Sequence, residues 1–154
     1  MEAVLFIGVQ GSGKSTFYKE QYFDTHVRVS RDQVKTPARE RALLSACLAT
    51  KQPFVLDNTN ATPAQRAEAI AAAKAAGFRV VGCYFRTELR AAFWRNARRP
   101  AGQVVPRVGL AATWKRLQPP TWAEGFDELK VVELPQEGGF VVREWSREEG
   151  DPAK

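Results

Sequence analysis

Gly8-Val9-Gln10-Gly11-Ser12-Gly13-Lys14-Ser15, standing directly behind the apolar run Ala3-Val4-Leu5-Phe6-Ile7, is the stretch whose reading decides the fold. It fits the pattern G-x-x-x-x-G-K-S/T, and an apolar run leading into that pattern reads as a buried strand running into a phosphate loop. The glycines let successive backbone N–H groups turn inward around an anion, and a helix starting near Gly13 adds the positive end of its dipole. Gly11, Ser12, Gly13 and Thr16 therefore read as nucleotide-binding positions. Lys14 is placed to reach the β- and γ-phosphates of ATP, and the Ser15 hydroxyl to hold Mg²⁺. The following Phe17-Tyr18-Lys19-Glu20-Gln21-Tyr22-Phe23 supplies the helix that the pattern requires.

Outward from the loop, short apolar runs alternate with helical stretches. Val27-Arg28-Val29 reads as a second strand, Phe54-Val55-Leu56 as a third and Phe78 to Phe85 as a fourth, mostly apolar as a strand buried on both faces should be. Leu129 to Leu134 reads as a fifth, followed by a Gly138-Gly139 turn and an edge hairpin over Phe140–Trp145. Between them, helices are predicted from about Pro37 to Leu48, with Leu44, Cys47 and Leu48 on one face, and from Pro63 through Ala76, capped by Thr62 and stopped by Gly77. Strands alternating with helices imply an α/β fold with a parallel sheet of about five strands flanked by helices.

At 154 residues the chain is expected to form one domain over 1–146, with a frayed tail over 147–154. It has no apolar run near the length of a membrane span, and a phosphate loop starting at residue 8 is expected to leave no room for a cleavable signal. Two cysteines, Cys47 and Cys83, without a neighbouring Cys or His at metal spacing, read as reduced core residues of a cytoplasmic protein.

Net charge is +6, and residues 86–116 carry eight Lys and Arg against Glu88 alone, so the remainder nets −1. Such a stretch attracts phosphates, of a nucleotide or of a nucleic acid, although a solvated helix face has the same composition. Thr87 reads as the cap of a helix with Leu89, Ala92, Phe93, Asn96 and Ala97 on one arc and Arg90, Arg95, Arg98 and Arg99 on the opposite arc, away from the core. With the hinge-like Pro100-Ala101-Gly102-Gln103 and a further helix behind Pro106, residues 87–118 read as a mobile lid whose guanidiniums close on the triphosphate.

Two carboxylates fall just past strand ends, where open parallel sheets bind ligands. Asp32 can take the proton of an attacking hydroxyl, and an N-cap role before the next helix fits the same position. Asp57 stands where a Walker-B-type acid would orient Mg²⁺ opposite Ser15; an Asx turn at Asn58 or Asn60 is compatible with that role.

Four landmarks in order resemble the kinase domain of 5′-hydroxyl polynucleotide kinases: Gly8 to Thr16; Ser30-Arg31-Asp32-Gln33-Val34-Lys35; Asp57-Asn58-Thr59-Asn60; and Arg95-Asn96-Ala97-Arg98-Arg99 with Val104-Val105-Pro106. Pro120 to Asp127 is also similar to the segment before the last strand in animal members. The resemblance implies a P-loop kinase that transfers the γ-phosphate of ATP to the 5′-hydroxyl of DNA or RNA, with Asp32 as general base and Lys14 and Arg99 as electrostatic stabilisers. It further implies that Arg95 and Arg99 bind the β- and γ-phosphates, and that Lys35 and Asn58 contact the acceptor. Lys35 stands where the family usually has Arg, which keeps the charge and loses the two-pronged geometry. No D-x-D-x-T phosphatase motif occurs, so no 3′-phosphatase activity is expected. Two rivals share these residues: a P-loop kinase of a small metabolite (a nucleoside, sugar or antibiotic) and a non-catalytic ATP-dependent switch. The sequence names no protein partner.

Overall fold

The computed structural model describes all residues, Met1–Lys154. Its strands are β1 (Glu2–Ile7), β2 (Val27–Val29), β3 (Phe54–Leu56), β4 (Arg79–Phe85), β5 (Glu128–Glu133) and β6 (Val141–Trp145). They form one six-stranded sheet in the order β2-β3-β1-β4-β5-β6. Five strands run parallel and β6 returns antiparallel on β5, with Val132 opposite Val142. The expected five parallel strands and edge hairpin are thus present, each within a residue or two of its predicted ends.

The helices are α1 (Lys14–Gln21), α2 (Arg31–Val34), α3 (Pro37–Thr50), α4 (Pro63–Ala75), α5 (Leu89–Ala97) and α6 (Arg107–Arg116). Alternation along β1 divides the core. Val4 and Phe6 point to one face, where Phe17, Tyr18 and Tyr22 of α1 cover them; Ala3, Leu5 and Ile7 point to the other, beneath residues of α3, α4 and α6. All five side chains are fully buried, each of the larger ones stabilising the fold by about 1.5–3 kcal/mol. Putting β1 in the middle of the sheet seats the phosphate loop at its centre.

Local signals held at α3 and α4, where Thr36 and Thr62 accept bonds from the N–H groups of Arg39 and Gln65. Elsewhere the structure corrects the sequence. Thr87 does not cap α5, whose N-cap is Glu88 with no side-chain bond. Nor is Asp32 an N-cap: it lies in the first turn of α2, behind Ser30. The tail over 147–154 is not frayed. A 3-10 turn at Arg147–Glu149 is closed by Ser146, Trp122 donates its backbone N–H to Asp151 and its indole N–H to the Gly150 carbonyl, and Arg147 donates to the Phe126 carbonyl. The expected freedom gave way to two tryptophans needing partners for their ring N–H groups, since Trp145 also donates to Gly150.

Candidate active site

Beyond the carboxyl ends of β1, β2 and β3 lies an open cleft of about 1340 Å³, lined by the phosphate loop, α2, the residues after β3, α4 and the α5–α6 connection. Eight cationic side chains (Lys14, Lys19, Arg28, Arg31, Lys35, Arg41, Arg95, Arg99) and four carboxylates (Asp32, Glu40, Asp57, Glu68) line it, so the cleft favours an anionic ligand.

Gly11 and Gly13 hold φ at 77° and 96°, a region that disfavours other residues, and space demands them too. A Cβ on Gly11 would stand 2.6 Å from the Ala92 carbonyl oxygen of α5, and one on Gly13 2.9 Å from the Phe140 ring. The loop is thus clasped between the lid and the β5–β6 hairpin. Lys14 is half-buried overall, yet its ammonium is turned inward, donating to the carbonyls of Gly8 at 3.0 Å and Val9 at 2.8 Å. Burial pulls its pKa down to about 8; Asp57 and Asp32 act to raise it, while Arg99 and Arg28 lower it further.

Three buried polar atoms around the loop find no partner within the protein: Gln10 Oε1, Ser12 Oγ and Arg99 Nη1. A buried donor without a partner is costly, and a phosphate oxygen satisfies one. Together with the glycine cradle and Lys14, the two donors among them, Ser12 Oγ and Arg99 Nη1, fit the triphosphate of ATP.

Ser15 lies in the first turn of α1 and Asp57 follows β3, and both meet the Arg28 guanidinium. Arg28 Nε donates to Asp57 Oδ2 at 2.8 Å and Arg28 Nη2 to Ser15 Oγ at 3.1 Å. A hydroxyl facing a buried carboxylate is a hard-oxygen pair of the kind Mg²⁺ takes when phosphates and water complete its shell, so the residues fit that ion.

On the acceptor side, Asp32 is exposed to the cleft and has no hydrogen-bond partner tying it down. Lys35 ends α2 at φ 74°, within a three-residue turn closed by Thr36 N–H donating to Val34 O at 3.0 Å. That backbone is strained for a residue with a side chain, and it leaves Lys35 exposed at the cleft rim. Asn58 also lines the cleft, but its amide is spent on the scaffold: Oδ1 accepts from Arg31 N–H and Nδ2 donates to Glu40. Glu40 in turn pairs with Arg31. Asn60, at φ 45°, donates to the Phe6 carbonyl and fixes the loop after β3 against β1.

The lid departs from its expected geometry. Arg90 and Arg98 face outward, Arg98 lying 3.6 Å over the Trp94 ring, but Arg95 and Arg99 do not share that side. Arg95 is half-buried and donates to the carbonyls of Gly11 at 3.1 Å and Leu134 at 2.8 Å, and burial lowers its pKa. The reason is that α5 has two neighbours, the core and the phosphate loop, and a two-arc reading allows for only one. Ala97, placed on the core arc, is exposed for the same reason. Asn96, buried, exchanges both bonds with the Val105 backbone, at 2.6 and 3.0 Å, and ties the connection back onto α5.

Two arginines that matter carried little signal in the sequence. Arg28 is one; a basic residue in an otherwise apolar strand was its only mark. Arg66, fully buried in the alanine-rich α4, is the other: Nε and Nη2 grip both oxygens of Glu124, and Nη1 donates to the carbonyls of Asn60 and Gln118. No helix is long and apolar enough to cross a membrane, and both cysteines are buried and unpaired.

Solved structures share this architecture at low sequence identity. A gluconokinase from Sinorhizobium meliloti 1021 superposes with a TM-score of 0.61 at 18% identity, over 88% of this chain and 83% of that one. Chaetomium thermophilum Kti12 in complex with ADP-AlF3 gives 0.62 at 16% identity, over 85% and 88%. The AvrRxo1-ORF1:-ORF2 complex with ATP gives 0.67 at 10% identity, over 92% of this chain and 57% of that one. The fold is that of the P-loop kinases. Residues 30–120, a span that holds Asp32, Lys35, Asp57, Asn58, Arg95 and Arg99, match the model of a family described as an AAA domain over more than half of the chain, and to that family the chain belongs.

Proposed function

We propose that the chain is an ATP-dependent phosphotransferase whose acceptor hydroxyl is held between Asp32, Lys35 and the lid. The observation that carries this reading is the meeting of Lys14, Ser15, Asp32, Asp57, Arg95 and Arg99 around one cleft. Two structural neighbours support ATP as donor, one solved with ATP and one with ADP-AlF3.

In this reading the loop N–H groups and Lys14 hold the β- and γ-phosphates, and Arg99 meets the charge that gathers on the transferring group. Asp32 takes the proton from the acceptor hydroxyl as its oxygen bonds to the γ-phosphorus, and the bond to the β–γ bridging oxygen breaks, releasing ADP. Ser15 and Asp57 would hold Mg²⁺, which would supply charge neutralisation for the phosphates.

For the acceptor, a small hydroxylated metabolite is the first reading. One protein of this fold is a gluconokinase, and the surplus of positive charge in the cleft, eight cations against four carboxylates, is about what the negative charge of a single nucleoside triphosphate offsets, with the carboxylate of Glu68 at its edge. A polyanionic strand asks for more. The 5′-hydroxyl end of DNA or RNA is the second reading, favoured by Lys35 at the cleft rim, where a phosphate next to the hydroxyl can meet it, and by the basic stretch 86–116. A cytoplasmic setting goes with either.

The test offers labelled ATP and Mg²⁺ with gluconate, other sugars, nucleosides, nucleoside 3′-monophosphates and 5′-hydroxyl oligonucleotides. Transfer to a metabolite and not to oligonucleotides establishes the first reading, and transfer to oligonucleotides the second. ATP binding with no transfer to any acceptor, unchanged by Asp32→Ala, makes the protein a switch and overturns both.

A further inference from the structure

Asp57 cannot stand alone. Its side chain is 2% exposed, and a buried carboxylate needs a positive partner. The partner comes from the middle of β2. Alternation sends Val27 and Val29 into the core layer under α3, so Arg28 between them points to the other face, toward α1. There its guanidinium spans the space between Asp57 Oδ2, at 2.8 Å, and Ser15 Oγ, at 3.1 Å. Those are the two oxygens that fit Mg²⁺. A guanidinium and a divalent ion cannot both use them, because each must occupy the space between the same two oxygens and the charges repel.

We propose that Arg28 is an internal stand-in for the divalent cation: it neutralises Asp57 while the nucleotide site is bare, and arrival of metal with ATP displaces it. This rests on the phosphotransferase reading above and adds a residue that none of the landmark motifs contains. The fold gives the displaced side chain somewhere to go. Arg28 borders both the main cleft and a side pocket of about 580 Å³ walled by Tyr18, Phe23, Gln33, Val34 and Leu43 at the open edge of β2. No carboxylate lines that pocket, so nothing there holds the guanidinium, and it returns to Asp57 when the metal leaves. The exchange makes metal and nucleotide binding depend on one another: the ion alone meets a neutralised site, whereas the ion carried by phosphates brings ligands enough to displace the arginine.

The experiment measures ATP affinity by calorimetry in the full chain, in EDTA and in Mn²⁺, for wild type, Arg28→Met and Arg28→Lys, with Mn²⁺ binding to the nucleotide-free proteins followed by electron paramagnetic resonance. Arg28→Met is expected to bind metal-free ATP more weakly than wild type and Mn²⁺ more tightly. The ratio of ATP Kd in EDTA to that in Mn²⁺ is then at least about tenfold larger than in wild type, which corresponds to about 1.4 kcal/mol of coupling. Mn²⁺ alone should also raise the melting temperature of Arg28→Met and not that of wild type. Should Arg28→Met not fold, Arg28→Lys decides: its single ammonium pairs with Asp57 without bridging to Ser15, and the ratio rises in the same direction. A ratio within twofold of wild type in the variants overturns the proposal alone. Absence of ATP binding in wild type overturns the phosphotransferase reading and this proposal with it.

Discussion

Two arginine–carboxylate pairs flank the residues that follow β3, and they are built differently. Arg66 and Glu124 are 0% and 10% exposed at their side chains, joined through two parallel bonds, with the remaining arginine nitrogen on two carbonyls. Arg28 and Asp57 are 23% and 2% exposed, joined through one bond, with a second donor on a hydroxyl. The first pair is closed: each arginine nitrogen and each carboxylate oxygen has a partner within the protein. The second is held at one point and open to solvent on the arginine side. Chemistry of the same type thus serves as a rivet where the network closes and as an exchangeable contact where it does not.

If that division is right, changes near the cleft alter kinetics and leave stability alone, and changes at the rivet do the reverse. The largest effect is expected at Asp32. Asp32→Asn should lower kcat by about 10²–10⁴-fold, with ATP affinity and melting temperature nearly unchanged. A drop in melting temperature would move Asp32 to the structural side. Next comes Arg66→Met, which strands Glu124 in a nearly closed site; chemical denaturation should show a loss of about 3–5 kcal/mol, while KM for ATP stays at its wild-type value below the transition. A destabilisation under about 1 kcal/mol would mean that the network is not closed after all.

A smaller effect concerns pH. The folded, nucleotide-free Lys14 sits near 8, below its unfolded value of 10.5, because burial disfavours its charge. Phosphates restore that charge, so ATP binding takes up a proton above pH 8, and affinity should fall toward tenfold per pH unit from there upward. The same shift makes the bare protein gain stability between pH 8 and 10.5, since the unfolded chain holds the proton that the folded one has lost. Calorimetry in two buffers of different ionisation enthalpy checks the uptake, and a flat affinity from pH 7 to 9.5 refutes it. The smallest effect is at Lys35, exposed and without a partner: Lys35→Ala should raise the acceptor KM by about two- to fivefold and leave that of ATP alone, the scale of an exposed charge contact. An unchanged acceptor KM would show that the strained turn serves the backbone only.

Much of this was legible from local pattern. The strands were marked by apolar runs ending in polar residues, the helices by Thr-Pro starts and Gly or Pro stops, and the phosphate loop by its own spacing. Asp32 and Asp57 were visible because strand ends in such sheets face the ligand. The rivet and the metal-site arginine were not, because their partners lie 58 and 29 residues away and no local rule joins an arginine to a distant acid. An arginine in an alanine-rich helix reads as solvated, and only the arrival of Glu124 makes Arg66 the largest fully buried side chain. Arg95 was misplaced for a related reason: helical periodicity finds one buried face, and α5 has a second, set by how closely Gly11 lets the loop approach.

The clasp on the loop has a consequence for the order in which the protein is made. Gly13 and Lys14 leave the ribosome well before Leu134 and Phe140, whose side chains pack within 3.2 Å of the position a Gly13 Cβ would take. At about 5–20 residues per second, more than a hundred residues of synthesis separate the loop from its supports by roughly 6–25 s. Throughout that interval the nascent chain carries a nucleotide-binding sequence without the hairpin that shapes it, so the growing polypeptide cannot engage ATP through a finished site before β6 pairs with β5.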